Sequence, residues 1–214
     1  LMRVVGKNTG ILGDMAGGAM FLLFGLLCAL READRSGQGQ VVDAAMVDGV
    51  AALASLVHQR RGLGVWSDEP AQNFFLGSSP FYDTFACADG RYISLGAIEP
   101  QFYALLLQKL GLRDVNAQRQ HETNDWPALR ARVAALIASQ PQAHWCALLE
   151  GSDVCFAPVL TPAEAPQHPH LRARQTFVDV QGCQQPAPAP RLSRSVAREP
   201  SDGPHPGEHT AQVL

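Results

Sequence analysis

The stretch Gly13-Asp14-Met15-Ala16-Gly17-Gly18-Ala19-Met20 decides how the chain reads, because it opens an apolar run that extends to Leu30. An acidic residue stands before small residues and a long helix pattern. Asp is a favoured helix N-cap, since its carboxylate accepts hydrogen bonds from free first-turn N–H groups. The positive end of the helix dipole also favours its charge. Gly17 and Gly18 carry no Cβ and admit close approach by another backbone or by a ligand. The expectation is a helix from Asp14 to about Asp34, buried on all faces through Leu30 and ended by Ser36-Gly37-Gln38-Gly39. Met15 to Leu30 spans 16 positions, short of the roughly 20 needed to cross a bilayer. No A-x-A-like site follows, as a signal peptide requires. A buried core helix with no membrane span is expected.

Downstream, Gln40-Val41-Val42-Asp43-Ala44 reads as a short strand, and Val47, Val50, Ala51, Ala54 and Val57 mark a helix from about Met46 to Arg61. Helix, Gly-rich turn and apolar strand together point to an α/β fold. Phe81 to Cys87 and Arg91 to Ile98 form a hairpin about Ala88-Asp89-Gly90, Asp-Gly being a strong turn dipeptide. Tyr92, Ser94 and Gly96 alternate there with Ile93, Leu95 and Ala97, the period of a half-buried strand. Pro100 fits a first helical position, with Glu99 at the junction just before it. Further helices are expected from Asn124-Asp125-Trp126-Pro127 to about Ser139, from Pro141 to about Leu149, and within Thr161 to Arg174, with a strand at Val154 to Leu160. The domain reading is the C-terminal part of a large α/β domain over residues 1–80, a smaller α+β domain over 81–176 and an extended tail over 177–214 that returns to the large domain. The tail is Pro- and Ser-rich from Gly182 onward.

Composition narrows the function classes. The 214 residues carry a formal net charge of -3 with basic residues scattered, which argues against a nucleic-acid surface. Five cysteines, odd in number and without a C-x-x-C, argue against a disulfide framework or structural zinc and for a reducing, cytoplasmic setting. The seven histidines include His168-Pro169-His170 and His205 with His209, but none has the helical HExxH arrangement of a zinc site. There is no G-x-S-x-G elbow, no G-x-G-x-x-G and no Walker loop. What remains is the carboxylate pair Asp14 and Glu99, with Gly17 and Gly18 as candidate substrate-binding positions.

Several segments, in order, carry a resemblance. They are Gly13-Asp14-Met15-Ala16-Gly17-Gly18, Ser36-Gly37-Gln38-Gly39-Gln40-Val41-Val42-Asp43, Pro80-Phe81-Tyr82 with Ala88-Asp89-Gly90, Gly96-Ala97-Ile98-Glu99-Pro100-Gln101-Phe102-Tyr103, Asp153-Val154-Cys155-Phe156-Ala157-Pro158-Val159-Leu160 and Gly207-Glu208-His209-Thr210. Together they resemble the family of class III CoA-transferases and related racemases, its α-methylacyl-CoA racemases in particular. The resemblance implies interlocked homodimers with a large α/β and a small domain, an acyl-CoA thioester as substrate, and no cofactor beyond the CoA of the substrate itself. It places Asp14 as the family's catalytic aspartate, a proton-transfer group in racemases and a nucleophile in transferases. Glu99 matches the catalytic-site glutamate of the racemases, where transferases of the family carry a Gly-rich loop.

The chemistry suits these residue types. Inverting the carbon α to a thioester requires acid–base groups on both of its faces, and the enolate-like intermediate requires donors at its oxygen. Backbone N–H groups near Gly17 and Gly18 are candidates for that task. The racemases also use a histidine in a His-Asp motif upstream of the aspartate. The thirteen residues before Asp14 contain no His, and the first residue is Leu. The expectation is therefore a carboxyl-terminal fragment with little racemase activity alone. A transferase using Asp14 as nucleophile, and a non-catalytic remnant that dimerises or binds acyl-CoA, are the alternatives.

Overall fold

The structure, a computed structural model, describes residues 10–198, 200–201 and 203–214. The chain divides into two compact units, one ending at Val159 and the other Leu160–Leu214. It is α/β, with helices and two small antiparallel sheets among the described residues.

The first unit opens with continuous helix. π-helical turns over Ile11–Ala19 pass directly into α1, Met20–Ser36. The helix begins earlier than Asp14 because Ile11 and Leu12 extend the apolar pattern, so Asp14 lies in the first turn and does not cap it. The carboxyl end is as expected: Gly37 takes φ 73° and its N–H donates to the Ala33 carbonyl at 2.8 Å, a left-handed cap that glycine adopts without steric cost. The expected burial is overturned. No residue of α1 is buried, and Phe24 and Leu27 are 70% and 67% exposed. By length and composition Ile11–Ser36 is also apolar enough to cross a membrane.

The expected strand at Gln40-Val41-Val42-Asp43-Ala44 does not form. Its backbone has no neighbouring strand among the described residues to pair with, and an unpaired strand is not stable in water. Val42 instead packs against Gly25 of α1, where a Cβ would come within 2.8 Å of its Cγ1. The helix expected from Met46 to Arg61 is two, α2 (Met46–Leu53) and α3 (Ser55–Gly62), divided at Ala54 by φ −84°, ψ 7°.

The hairpin is present as β1 (Tyr82–Ala86) and β2 (Tyr92–Gly96), and Gly90 turns it at φ 74°. β3 (Phe156–Val159) adds antiparallel to the free edge of β2, with Ser94 opposite Ala157. Ile93, Leu95 and Ala97 are buried, as their alternation requires. Onto that face pack α4 (Pro100–Lys109), α5 (Trp126–Ile137) and α6 (Gln142–Leu149), through Leu106, Ile137 and Leu149 among others. The Phe81 ring lies edge-on to Tyr103 at 5.4 Å and Trp126 at 5.8 Å. Such pairs add stabilisation of about 1 kcal/mol each beyond their buried area.

At the surface of this core Arg132 donates two hydrogen bonds of 2.6 Å to Asp114. They hold the Asp114 carboxyl down to about 2 from its ordinary 3.8. A depressed carboxyl stabilises the fold above its ordinary pKa and loses that contribution as pH falls through the depressed one. Here the window runs from about 4 down to about 2. Both side chains are exposed, so the effect on stability is small. Titration by NMR should place the Asp114 midpoint near 2, and Arg132→Gln should return it toward its ordinary value. An unmoved midpoint in that variant would exclude the arginine as the cause.

The second unit holds α7 (Pro169–Ala173) and a hairpin of β4 (Phe177–Val180) and β5 (Cys183–Pro186), turning at Gln181-Gly182. Asp179 accepts from the Gly182 N–H at 2.8 Å and fixes that turn. β4 and β5 were legible only as extended tail, and the closing helix α8 (Thr210–Val213) was not expected.

Candidate active site

Asp14 projects from the π-helical turns, exposed to solvent. Wide π turns are frequent at functional sites, and Gly13, Gly17 and Gly18 weaken the preference for regular α-helix here. The turns are pinned by α2. A Cβ on Gly17 would approach the Val50 backbone N at 3.1 Å, and a Cβ on Gly49 would overlap the Gly17 carbonyl oxygen. Gly18 similarly abuts Met46, whose Cγ lies 3.0 Å from where a Cβ would stand. What the missing Cβ atoms admit is therefore the backbone of a crossing helix. That crossing makes the open cavity of about 470 Å³ bordered by Gly10, Gly13, Asp14, Met46, Val47 and Val50. Gly17, Gly18 and Glu99 are not on its wall. The arrangement sets one carboxylate beside aliphatic side chains, the surroundings an acyl chain would favour.

Glu99 stands at the N-cap position of α4, exposed, with φ −71° and ψ 140°. Its side chain makes no capping hydrogen bond; its main-chain carbonyl accepts from the Tyr103 N–H at 3.0 Å. The carboxylate is thus free for another partner, while the backbone beneath it is fixed from several sides. Gly96 N–H donates to the Cys155 carbonyl at 2.9 Å, and Cys155 itself takes the left-handed φ of 52°. The Gln120 amide donates to the carbonyls of Ala97 and Ile98 at 3.0 and 2.9 Å. Sequence reading missed both Gln120 and Cys155. A glutamine between Arg119 and His121 has no local signature, and its partners lie more than twenty residues upstream.

The cysteines report on these surroundings. Burial, then the charges of Asp89 and Cys146, push the Cys87 thiol up to about 11. Burial, then the charges of Glu99 and Asp153, push the Cys155 thiol up as well. Thiolate is the reactive form, so maleimide near neutral pH should label exposed Cys28 and Cys183 first and buried Cys87 last. Glu99→Gln should accelerate labelling of Cys155. An unchanged Cys155 rate would mean that the Glu99 carboxylate lies out of its reach.

The model of "CoA-transferase family III" matches residues 6–210. The chain is 42% identical over 210 residues to alpha-methylacyl-CoA racemase of Mus musculus, covering 95% of this chain and 54% of that protein. It is 39% identical over 207 residues to the Homo sapiens racemase of the same name, again at 95% and 54%. A CAIB/BAIF family protein from Brucella suis superposes with TM-score 0.71 at 22% identity, covering 94% of this chain and 54% of that one. The chain therefore spans about half the length of the curated relatives it matches.

Proposed function

We propose a function from one premise: the chain belongs to CoA-transferase family III. In our reading it supplies a proton-transfer carboxylate, Asp14, to a racemase of 2-methyl-branched acyl-CoA thioesters. The observation that carries this is the pairing of 42% identity to an alpha-methylacyl-CoA racemase with an exposed Asp14 on the wall of an aliphatic cavity. The thioester carbonyl acidifies its α-hydrogen. Asp14 takes that proton from one face of C2 or returns it there, and a group outside this chain serves the opposite face, since inversion needs both. The aliphatic wall of Met46, Val47 and Val50 holds the branched carbon chain beside the carboxylate, and the bound chain displaces water from that side of it. Glu99 supports the opposite-face group through the carboxylate its own helix leaves unengaged. CoA enters as part of the substrate, and no further cofactor takes part.

The exposed face of α1 is assigned on the same reading to a homodimer of the full-length gene product, whose remaining chain covers it. That assembly also brings Glu99 to the Asp14 cavity.

The test is exchange of the C2 hydrogen of a 2-methylacyl-CoA with solvent deuterium. The full-length gene product should exchange it, and the 214-residue chain alone should exchange it poorly. Robust exchange by the isolated chain, or none by the full-length product, overturns the reading. The alternative, favoured by the family's own name, makes Asp14 the nucleophile of a CoA-transferase. Its carboxylate would attack the thioester carbonyl, forming a mixed anhydride and expelling CoA thiolate. Capture of Asp14 as a hydroxamate when hydroxylamine is added during incubation with acyl-CoA, without exchange at C2, would select that alternative.

A further inference from the structure

Gln120 is a buried polar side chain bonded to the segment just before Glu99, and it has no role in the chemistry described above. It is 3% exposed and stands in a loop after the 3₁₀ turn Ala117–Arg119. The loop is tightly held. The Gln120 carbonyl accepts from the indole N–H of buried Trp126 at 2.8 Å, and the neighbouring His121 ring lies edge-on to Phe81 at 6.0 Å. From this anchored backbone the side-chain amide donates to Ala97 O and Ile98 O, the two carbonyls immediately before Glu99. β2 ends at Gly96 and α4 begins at Pro100. Both carbonyls fall in the gap between strand and helix, and among the described residues no turn or loop N–H donates to either. Its other amide atom, Oε1, is buried with no partner. Burying an unsatisfied acceptor is costly, so the amide is oriented for donation to this junction at the expense of its own oxygen.

We propose that Gln120 is a positioning residue: by clamping the two carbonyls before Glu99 it fixes the direction in which the Glu99 carboxylate leaves the strand-to-helix junction. The proposal rests on the assignment of Glu99 to the reaction. Glu99 makes no side-chain hydrogen bond to its own helix, so the backbone that bears it sets its placement. A misplacement of about 1 Å can cost roughly 100-fold in rate.

The experiment measures C2 hydrogen exchange of 2-methylacyl-CoA by the full-length gene product with Gln120→Leu, with Glu99→Gln and with both. Gln120→Leu should lower kcat by about 10–100-fold with KM held within about threefold. The double variant should be no slower than Glu99→Gln alone, because a residue acting through Glu99 has nothing left to position. A double variant that loses the product of the two single factors overturns the proposal, and so does Gln120→Leu at wild-type kcat. Where Gln120→Leu fails to fold, Gln120→Glu keeps the shape and, once protonated, one donor. Its rate relative to wild type should rise as pH falls, and a flat ratio overturns the proposal. If Glu99→Gln itself leaves kcat unchanged, the role of Glu99 falls and the clamp falls with it. A costly Glu99→Gln with an additive Gln120→Leu removes the clamp alone.

Discussion

Asp14→Asn in the full-length gene product should reduce C2 hydrogen exchange by about 10²–10⁴-fold, the usual contribution of a positioned acid–base group. The amide is nearly isosteric, and Asp14 makes no hydrogen bond that caps its helix, so the helix should survive the change. Asp14 stands exposed on the π-helical turns, so its loss leaves no buried partner stranded. KM for the acyl-CoA should change little, because the aliphatic wall of Met46, Val47 and Val50 is untouched. A fall in kcat with KM preserved marks an interaction made in the transition state. Undiminished exchange would remove Asp14 from the mechanism. A large rise in KM at constant kcat would make it a binding residue only.

Gly49→Ala should have the largest effect on stability. On an isolated helix the change would stabilise by about 1 kcal/mol, since alanine is the better helix former. At this position the added Cβ meets the backbone of Gly17, carbonyl oxygen first and then the carbonyl carbon at 2.7 Å. Backbone in a helix cannot rotate aside as a side chain can, so α2 must lift off the π-helical turns. Overpacking of this kind costs on the order of 3 kcal/mol, or roughly 6–12 °C in melting temperature for a chain of this size. The same lift would move Met46 and Val50 away from Asp14, so exchange should fall as well. Gly13→Ala is the control, with nothing within 4 Å of its added Cβ. It should leave the melting temperature equal or slightly higher. A Gly49→Ala protein as stable as the control would mean that the helices do not cross at these glycines.

The sheet and its helices were legible because their signals are local. Asp89-Gly90 forces the hairpin turn, the Ile93, Leu95, Ala97 alternation fixes which face is buried, and Pro100 fixes the helix start. The amino-terminal helix was legible in kind but not in setting. Its apolar residues announced burial, yet the partner that would bury them is not within the described residues, so Phe24 and Leu27 face solvent. The same want of a partner explains Gln40 to Ala44, whose composition suits a strand but whose backbone has no strand to pair with. Asp14 was singled out by its place before small residues, although its task as a helix cap was misread: two apolar residues upstream start the helix sooner. Gln120 was illegible, since its bonds to Ala97 and Ile98 depend on a loop route that no periodicity encodes.

The most direct measurement is the structure of the full-length gene product with a 2-methylacyl-CoA or a non-reactive thioether analogue bound. C2 of the acyl group should lie against the Met46–Val50 wall, with an Asp14 carboxylate oxygen within about 3.5 Å of it on one face and Glu99 bordering the same cavity. An acyl group seated elsewhere, or Asp14 and Glu99 in separate cavities of the assembled protein, would contradict this mechanism.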